Sequence, residues 1–176
     1  MIIYRDLLTG DEIVSDTSKI IDAGNGLWEV DGQMIKKGAD NFVLDGANPS
    51  AEGEDADEGG DDGGDNAPVL DLADQFRLQK LEGGMSKKSY QSELKKYMKA
   101  LVEKLKELGK PEEEIKKFQS EAPAAAKKIL GNWENYDIYQ GESMAENGMY
   151  VLVDFREDGM TPYATIWKAG LEEYKV

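Results

Sequence analysis

The chain has 176 residues, enough for one hydrophobic core and short for two, and 40% of them are hydrophobic. Its 36 acidic and 21 basic residues leave a net charge of −15, which argues against simple nucleic-acid binding. Cysteine and histidine are both absent, which removes disulfides, the usual zinc sites and any Ser–His or Cys–His nucleophile, and makes the cytosol the default compartment. From the first residue, Met1 to Leu7 is rich in β-formers, and Arg5 and Asp6 interrupt its only greasy run, so it does not read as a secretory signal. The Thr9–Gly10–Asp11 cluster reads as a turn before a second short strand, Glu12 to Ser15. Asn25–Gly26 is a turn signal ahead of Leu27–Val30, and Asp31–Gly32 predicts a hairpin into Met34–Ile35.

Between Asp45 and Asn66 stand nine acids, no base and almost nothing to bury. Such a segment cannot offset an ordering cost of ~1–2 kcal/mol per residue, so it reads as a mobile acidic tether. Its Asp55–Ala56–Asp57–Glu58–Gly59–Gly60 run begins like an EF-hand, but the twelfth position falls on Asn66 rather than a bidentate glutamate. Val69, Leu70, Leu72, Phe76, Leu78 and Leu81 suggest one long or two short strands.

Residues 86–130 predict a helical hairpin. Tyr90, Leu94, Tyr97, Met98, Leu101, Val102, Leu105 and Leu108 recur at helical spacing behind Ser86, a natural N-cap. Gly109 closes that helix and Pro111 opens the next, whose first turn holds Glu112, Glu113 and Glu114 at the positive end of its dipole. Ile115, Phe118, Ala122, Ala126, Ile129 and Leu130 continue an apolar stripe, and Pro123 inside it removes one backbone donor and should bend the helix. Between Lys80 and Leu130 there are 13 lysines against 8 acids, so a basic hairpin follows an acidic tether. Strand patterns return at Tyr136–Tyr139, Met149–Phe155 and Thr161–Lys168, with a turn at Glu157–Gly159. Trp133, Tyr136 and Tyr139 read as core aromatics. The fold class is therefore α+β, a single domain of antiparallel sheet with one helical hairpin inserted late.

No apolar run approaches the ~20 residues that would span a bilayer. Neither a P-loop nor a Gly-rich dinucleotide turn occurs, and with 36 acids carboxylate pairs arise by chance, so the chain does not read as an enzyme. Lys87, Lys88, Lys95, Lys96, Lys99, Lys104 and Lys106 admit two readings: a patch for an acidic partner surface, or a solvated outer face laced with Glu93, Glu103 and Glu107.

Several segments resemble the translationally controlled tumour protein family: the opening MIIYRDLLTGDE, the NPSAEG element (Asn48 to Gly53), the block from Asn132 through FREDG (Phe155 to Gly159) to TPY (Thr161 to Tyr163), the SKKSYQSELKKYMKAL hairpin and the terminal GLEEYK. The resemblance implies a β-tent of antiparallel sheets with a protruding hairpin and a long acidic loop. It implies a cytoplasmic, non-enzymatic regulator of growth and survival that binds calcium weakly and associates with tubulin and small GTPases, the alternative being a guanine-nucleotide exchange or chaperone-type regulator of a small GTPase. The fold is similar to that of Rab-GTPase chaperones and one class of methionine sulfoxide reductase, whose cysteines this chain lacks. The resemblance further implies a GTPase contact at Glu12 with Tyr4, Arg5 and Asp6 nearby, and a tubulin-binding region at the hairpin lysines. A glutamate at a strand margin is equally accounted for as an edge charge that discourages aggregation. The site for weak calcium binding is expected near Asn48 and Glu52. Two departures stand out: Ser50 is the only hydroxyl residue between Asp45 and Asn66, which puts phosphoregulation of the loop in doubt, and Gln140 occupies a position usually apolar.

Overall fold

The computed structural model describes residues 1–36 and 68–175. The acidic tether assigned to residues 45–66 lies outside the described residues. Eleven strands are described: β1 (Ile2–Asp6), β2 (Glu12–Ser15), β3 (Ile20–Gly24), β4 (Leu27–Asp31), β5 (Met34–Lys36), β6 (Pro68–Leu70), β7 (Gln79–Lys80), β8 (Asp137–Gln140), β9 (Tyr150–Phe155), β10 (Pro162–Trp167) and β11 (Leu171–Lys175). With them come a short helix α1 (Asp71–Phe76) and the two long helices α2 (Lys87–Glu107) and α3 (Glu112–Gly131). The strands form a three-stranded sheet in the order β11-β1-β2, a six-stranded sheet β3-β4-β10-β9-β8-β7 and a two-stranded ribbon β5-β6, with every pair antiparallel.

Asn25 and Gly26 both take positive φ (56° and 84°), the geometry of a tight hairpin turn between twisted strands, and they join β3 to β4. The strand before that turn was not evident in the sequence because Asp22 and Gly24 break its apolar character; there the ladder shifts register and the Asp22 carboxylate accepts the Gly24 amide at 2.8 Å. The hairpin expected at Asp31–Gly32 does not form. Instead β4 lies between β3 and β10, while β5 crosses away to pair with β6. Gly32 is a crossing point: its amide donates to the Pro162 carbonyl at 2.9 Å, and a Cβ there would strike the Asp71 carboxylate and a Leu70 methyl. The stretch expected as strand from Val69 to Leu81 contains α1. Leu72 and Phe76 are four apart and both buried, Asp71 and Asp74 sit in the first turn, and Arg77 closes the helix in the left-handed region. Strand β11 was also unforeseen, since LEEYK is short and charged. Its regularity comes from a full ladder with β1, from Ile2↔Lys175 to Asp6↔Leu171.

The helical hairpin stands as expected. Ser86 Oγ accepts the Ser89 amide at 3.1 Å, and Gly109 turns the chain with φ 74°. α3 is one helix from Glu112 to Gly131 with Pro123 inside it. Tyr90, Leu94, Tyr97, Leu101 and Leu105 of α2 are buried, as are Ile115, Phe118, Ala125 and Ile129 of α3. They share one core with Val151, Leu152, Val153, Ala164, Ile166 and Trp167 of the central strands. Trp133 stacks on Tyr90 with ring centroids 4.4 Å apart and donates its indole N–H to the Met85 carbonyl at 3.0 Å, which ties the two ends of the hairpin together at its base. Phe118 meets Trp167 edge-on at 6.2 Å. Met98, Val102, Ala122, Ala126 and Leu130 pack only partly against this core, and Leu108 is 48% exposed. The apolar stripe of the hairpin is thus wider than the surface it covers. Among the described residues no helix is long and apolar enough to cross a membrane.

Candidate docking surfaces

Two surfaces follow from this arrangement. The first is the rim where β1 turns into β2. A bulge between Tyr4 and Arg5 sets Arg5 opposite Glu12, whose side chain is exposed at the start of β2. The neighbours of Glu12 are engaged in the fold. Tyr4 meets Trp28 edge-to-face at 5.1 Å. Arg5 bonds the Glu172 carboxylate at 3.2 Å and lies 4.3 Å from the Tyr174 ring centroid, which fastens β1 to β11. Asp6 does not belong to the exposed rim that the resemblance suggested: it is buried, its carboxylate accepts the Leu8 amide at 2.9 Å and the Met149 amide at 2.7 Å, and so a docked partner has no access to it. Burial raises the Asp6 carboxyl above its ordinary range, and the amides of Met149, Leu8 and Thr9 only partly oppose this. Asp11 makes a second tie across the same gap, accepting the Ser143 hydroxyl at 2.6 Å. Both carboxylates therefore bolt the β1–β2 turn to the loop before β9, and Glu12 is left facing solvent beside them.

The second surface is the hairpin. At about 100° per residue, Lys88, Lys95, Lys99 and Lys106 fall within a strip about 40° wide along α2. All four are exposed. The other three lysines of the expected patch lie elsewhere around the helix. Lys96 sits on the far flank, 3.6 Å from Glu93; Lys104 is paired with Glu107 at 3.8 Å; Lys87 points along the opposite margin. Beside the aligned lysines the two helices leave an open groove of 790 Å³, floored by Leu94, Met98 and Val102 of α2 and by Phe118, Ala122 and Ala126 of α3. A second depression of 730 Å³ lies at the hairpin base, between Gly83–Ser86 and Asn132–Trp133.

A family model for translationally controlled tumour protein matches residues 1–172. The chain belongs to that family. A translationally-controlled tumor protein homolog from Aspergillus fumigatus is 52% identical over 181 residues, and one from Aspergillus oryzae 51% identical over 179, with all of each chain covered. The tumour-protein fold is found in the structure of the translationally controlled tumor-associated protein from Schizosaccharomyces pombe, which matches with a TM-score of 0.74 at 39% identity over the whole of both chains. The structure of the Caenorhabditis elegans family member shares the fold, with a TM-score of 0.68 at 23% identity. The mixed helix and antiparallel-sheet architecture and the family thus agree. Asn48 and Glu52, where the resemblance puts weak calcium binding, lie outside the described residues. Among the described residues no three carboxylates group so as to hold a metal ion.

Two features escaped sequence reasoning. One is the groove, because Met98, Val102, Ala122 and Ala126 have the spacing of core residues and only their partial exposure sets them apart. The other is Arg156 of FREDG, which bonds Asp31 at 2.7 Å and also Glu29, and lies 3.9 Å from the centroid of Tyr163. Lys128 of α3 reaches the same Glu29 at 3.5 Å, so the hairpin and the sheet share this charge network. Local spacing links only Glu29 to Asp31; β4, the turn after β9, β10 and α3 together assemble the cluster.

Proposed function

We propose that this protein is a non-enzymatic cytoplasmic regulator of growth and survival that acts by docking macromolecular partners, with tubulin or microtubules engaging the helical hairpin. The observation that carries the reading is the alignment of Lys88, Lys95, Lys99 and Lys106 on one exposed strip of α2. In a chain of net charge −15, that strip is a local basic surface able to meet the strongly acidic exterior of tubulin. Co-sedimentation with microtubules is expected to fall steeply between low and high salt. Reversing Lys95 and Lys99 together to glutamate is expected to weaken it roughly tenfold, whereas Lys96→Glu, on the far flank, changes it little. Salt-insensitive pelleting, or equal loss from Lys96→Glu, would count against this surface.

A second reading concerns the β1–β2 rim. Glu12 is exposed where Tyr4 and Arg5 are engaged within the sheet, which suits it to pair with a basic group of a small GTPase, as either an exchange factor or a chaperone-type regulator. The protein is then expected to speed release of labelled nucleotide from a loaded GTPase, and Glu12→Ala to abolish the acceleration; unchanged release with the native protein ends that reading. Weak calcium binding near Asn48 and Glu52 rests on the family resemblance. No nucleic-acid partner is expected from a chain of this charge.

A further inference from the structure

We infer that the groove between α2 and α3 is a receptor for one amphipathic helix of a partner protein, a helix with apolar anchors on one side and carboxylates flanking them. This builds on the hairpin as a docking surface but not on tubulin as its occupant. Two rows face each other across the groove. On α2, Leu94, Met98 and Val102 repeat at intervals of four, and on α3, Phe118, Ala122 and Ala126 do the same. Side chains of full size at Ala122 and Ala126 would close the space; alanine, with Pro123 between them, keeps it open. The result is 790 Å³ of apolar trough, in whose floor Met98, Val102, Ala122 and Ala126 stay half-buried. Apolar surface of this kind, rimmed by polar groups, marks an interaction site.

The rim names the occupant. Lys95, Lys99 and Lys106 edge the groove and Glu103 is the one acid among its lining residues. Passing round α2, the buried stripe gives way first to Met98 and Val102 and then to the lysines, so an entering ligand meets hydrocarbon at the centre and ammonium groups along one side. The lining runs on α2 from Gln91 to Lys106, a length of about 22 Å at the helical rise. That accommodates about four turns of helix with anchors at i, i+4, i+7 and i+11. An extended acidic tail without anchors would satisfy the lysines and leave the floor wet, whereas an uncharged helix would fill the floor and forgo the rim. Only the amphipathic acidic helix complements both.

The test uses the full-length protein and a fluorescein-labelled peptide of about 16 residues, leucines at the anchor spacing and glutamate and alanine elsewhere. A scrambled peptide of identical composition is the control. Fluorescence anisotropy is expected to show saturable binding of the patterned peptide, about tenfold tighter than the scrambled one, with a gain of helical circular dichroism on mixing. Ala122→Leu and Ala126→Leu, made singly, are expected each to reduce affinity by about tenfold while leaving the thermal midpoint unchanged or higher, since leucine is nearly as good a helix former as alanine and fills empty space. The Lys95→Glu, Lys99→Glu pair is expected to weaken binding and flatten its salt dependence. Equal binding of both peptides, or full affinity in both folded leucine variants, overturns the proposal. So does concentration-dependent self-association that Ala126→Leu abolishes, since the occupant is then a second copy. No tubulin is present in this assay, so its failure leaves the microtubule experiment to stand or fall by itself.

Discussion

Gly170→Ala is expected to destabilise the protein by about 2–3 kcal/mol, and Tyr97→Phe in the same molecule to recover much of that loss. Gly170 is buried in the short helical turn Lys168–Gly170 between β10 and β11, where the chain passes from the six-stranded sheet to the three-stranded one. Its carbonyl accepts the Leu7 amide at 2.8 Å, which holds the end of β1 to this junction. A methyl group at residue 170 would collide with the Tyr97 hydroxyl, and would come within 2.7 Å of Met149 Cε. The thioether can swing aside. Tyr97 cannot, because it is buried on the core face of α2. Among the described residues its hydroxyl has no hydrogen-bond partner, so Tyr97→Phe alone should be close to neutral. Urea unfolding of the four proteins gives the coupling energy directly. Recovery will be partial, since Tyr97 Cζ would still be 3.3 Å from the new methyl. Strict additivity of the two changes would show that the collision at this junction is not what the substitution costs.

Asp6→Asn is expected to cost about 2–3 kcal/mol, with a pH dependence that runs against intuition. The two carboxylate oxygens of Asp6 serve separate amides, Leu8 through Oδ1 and Met149 through Oδ2. Asparagine offers one oxygen and turns an NH₂ toward the other donor, so one buried N–H loses its partner. Burial raises the Asp6 carboxyl above its ordinary value of 3.8, so the folded protein holds this proton more tightly than the unfolded chain does. The linkage contribution of Asp6 is therefore fully present below about pH 4 and is lost as pH rises through its folded value. Asparagine does not titrate. The stability difference between native protein and variant should consequently widen as the pH falls toward 4, measured by denaturant midpoints at several pH values. A difference that narrows in acid would mean that the amides outweigh burial and depress this carboxyl.

The sites differ in how far the chain announces them. The lysines of α2 can be counted in the sequence, and helical geometry alone sorts Lys88, Lys95, Lys99 and Lys106 from Lys96. Glu12 and Asp6 cannot be sorted that way. Both are acids within the same short hairpin, yet one is solvated and the other is sealed under the Met149 amide, contributed by a loop more than 140 residues away. The groove falls between these cases. Its residues carry an ordinary core periodicity, and their partial exposure depends on how far α3 stands from α2.

By itself the sequence determined the parts whose signals are local. Helices with an N-cap, a closing glycine and a one-sided apolar stripe need only residues three and four apart, and the nearly continuous β-formers of Met149–Phe155 need only their neighbours. Composition alone likewise removed histidine and cysteine chemistry. Tertiary structure decided the rest: that β4 joins β10 rather than β5, that charged Leu171–Lys175 becomes a strand by laddering on Ile2–Asp6, and that Asp71–Phe76 coils between two strands. Those outcomes depend on pairing across most of the chain's length, where the free energy lies in shared burial and in satisfying distant amides. Neither quantity is written in the spacing of neighbouring residues.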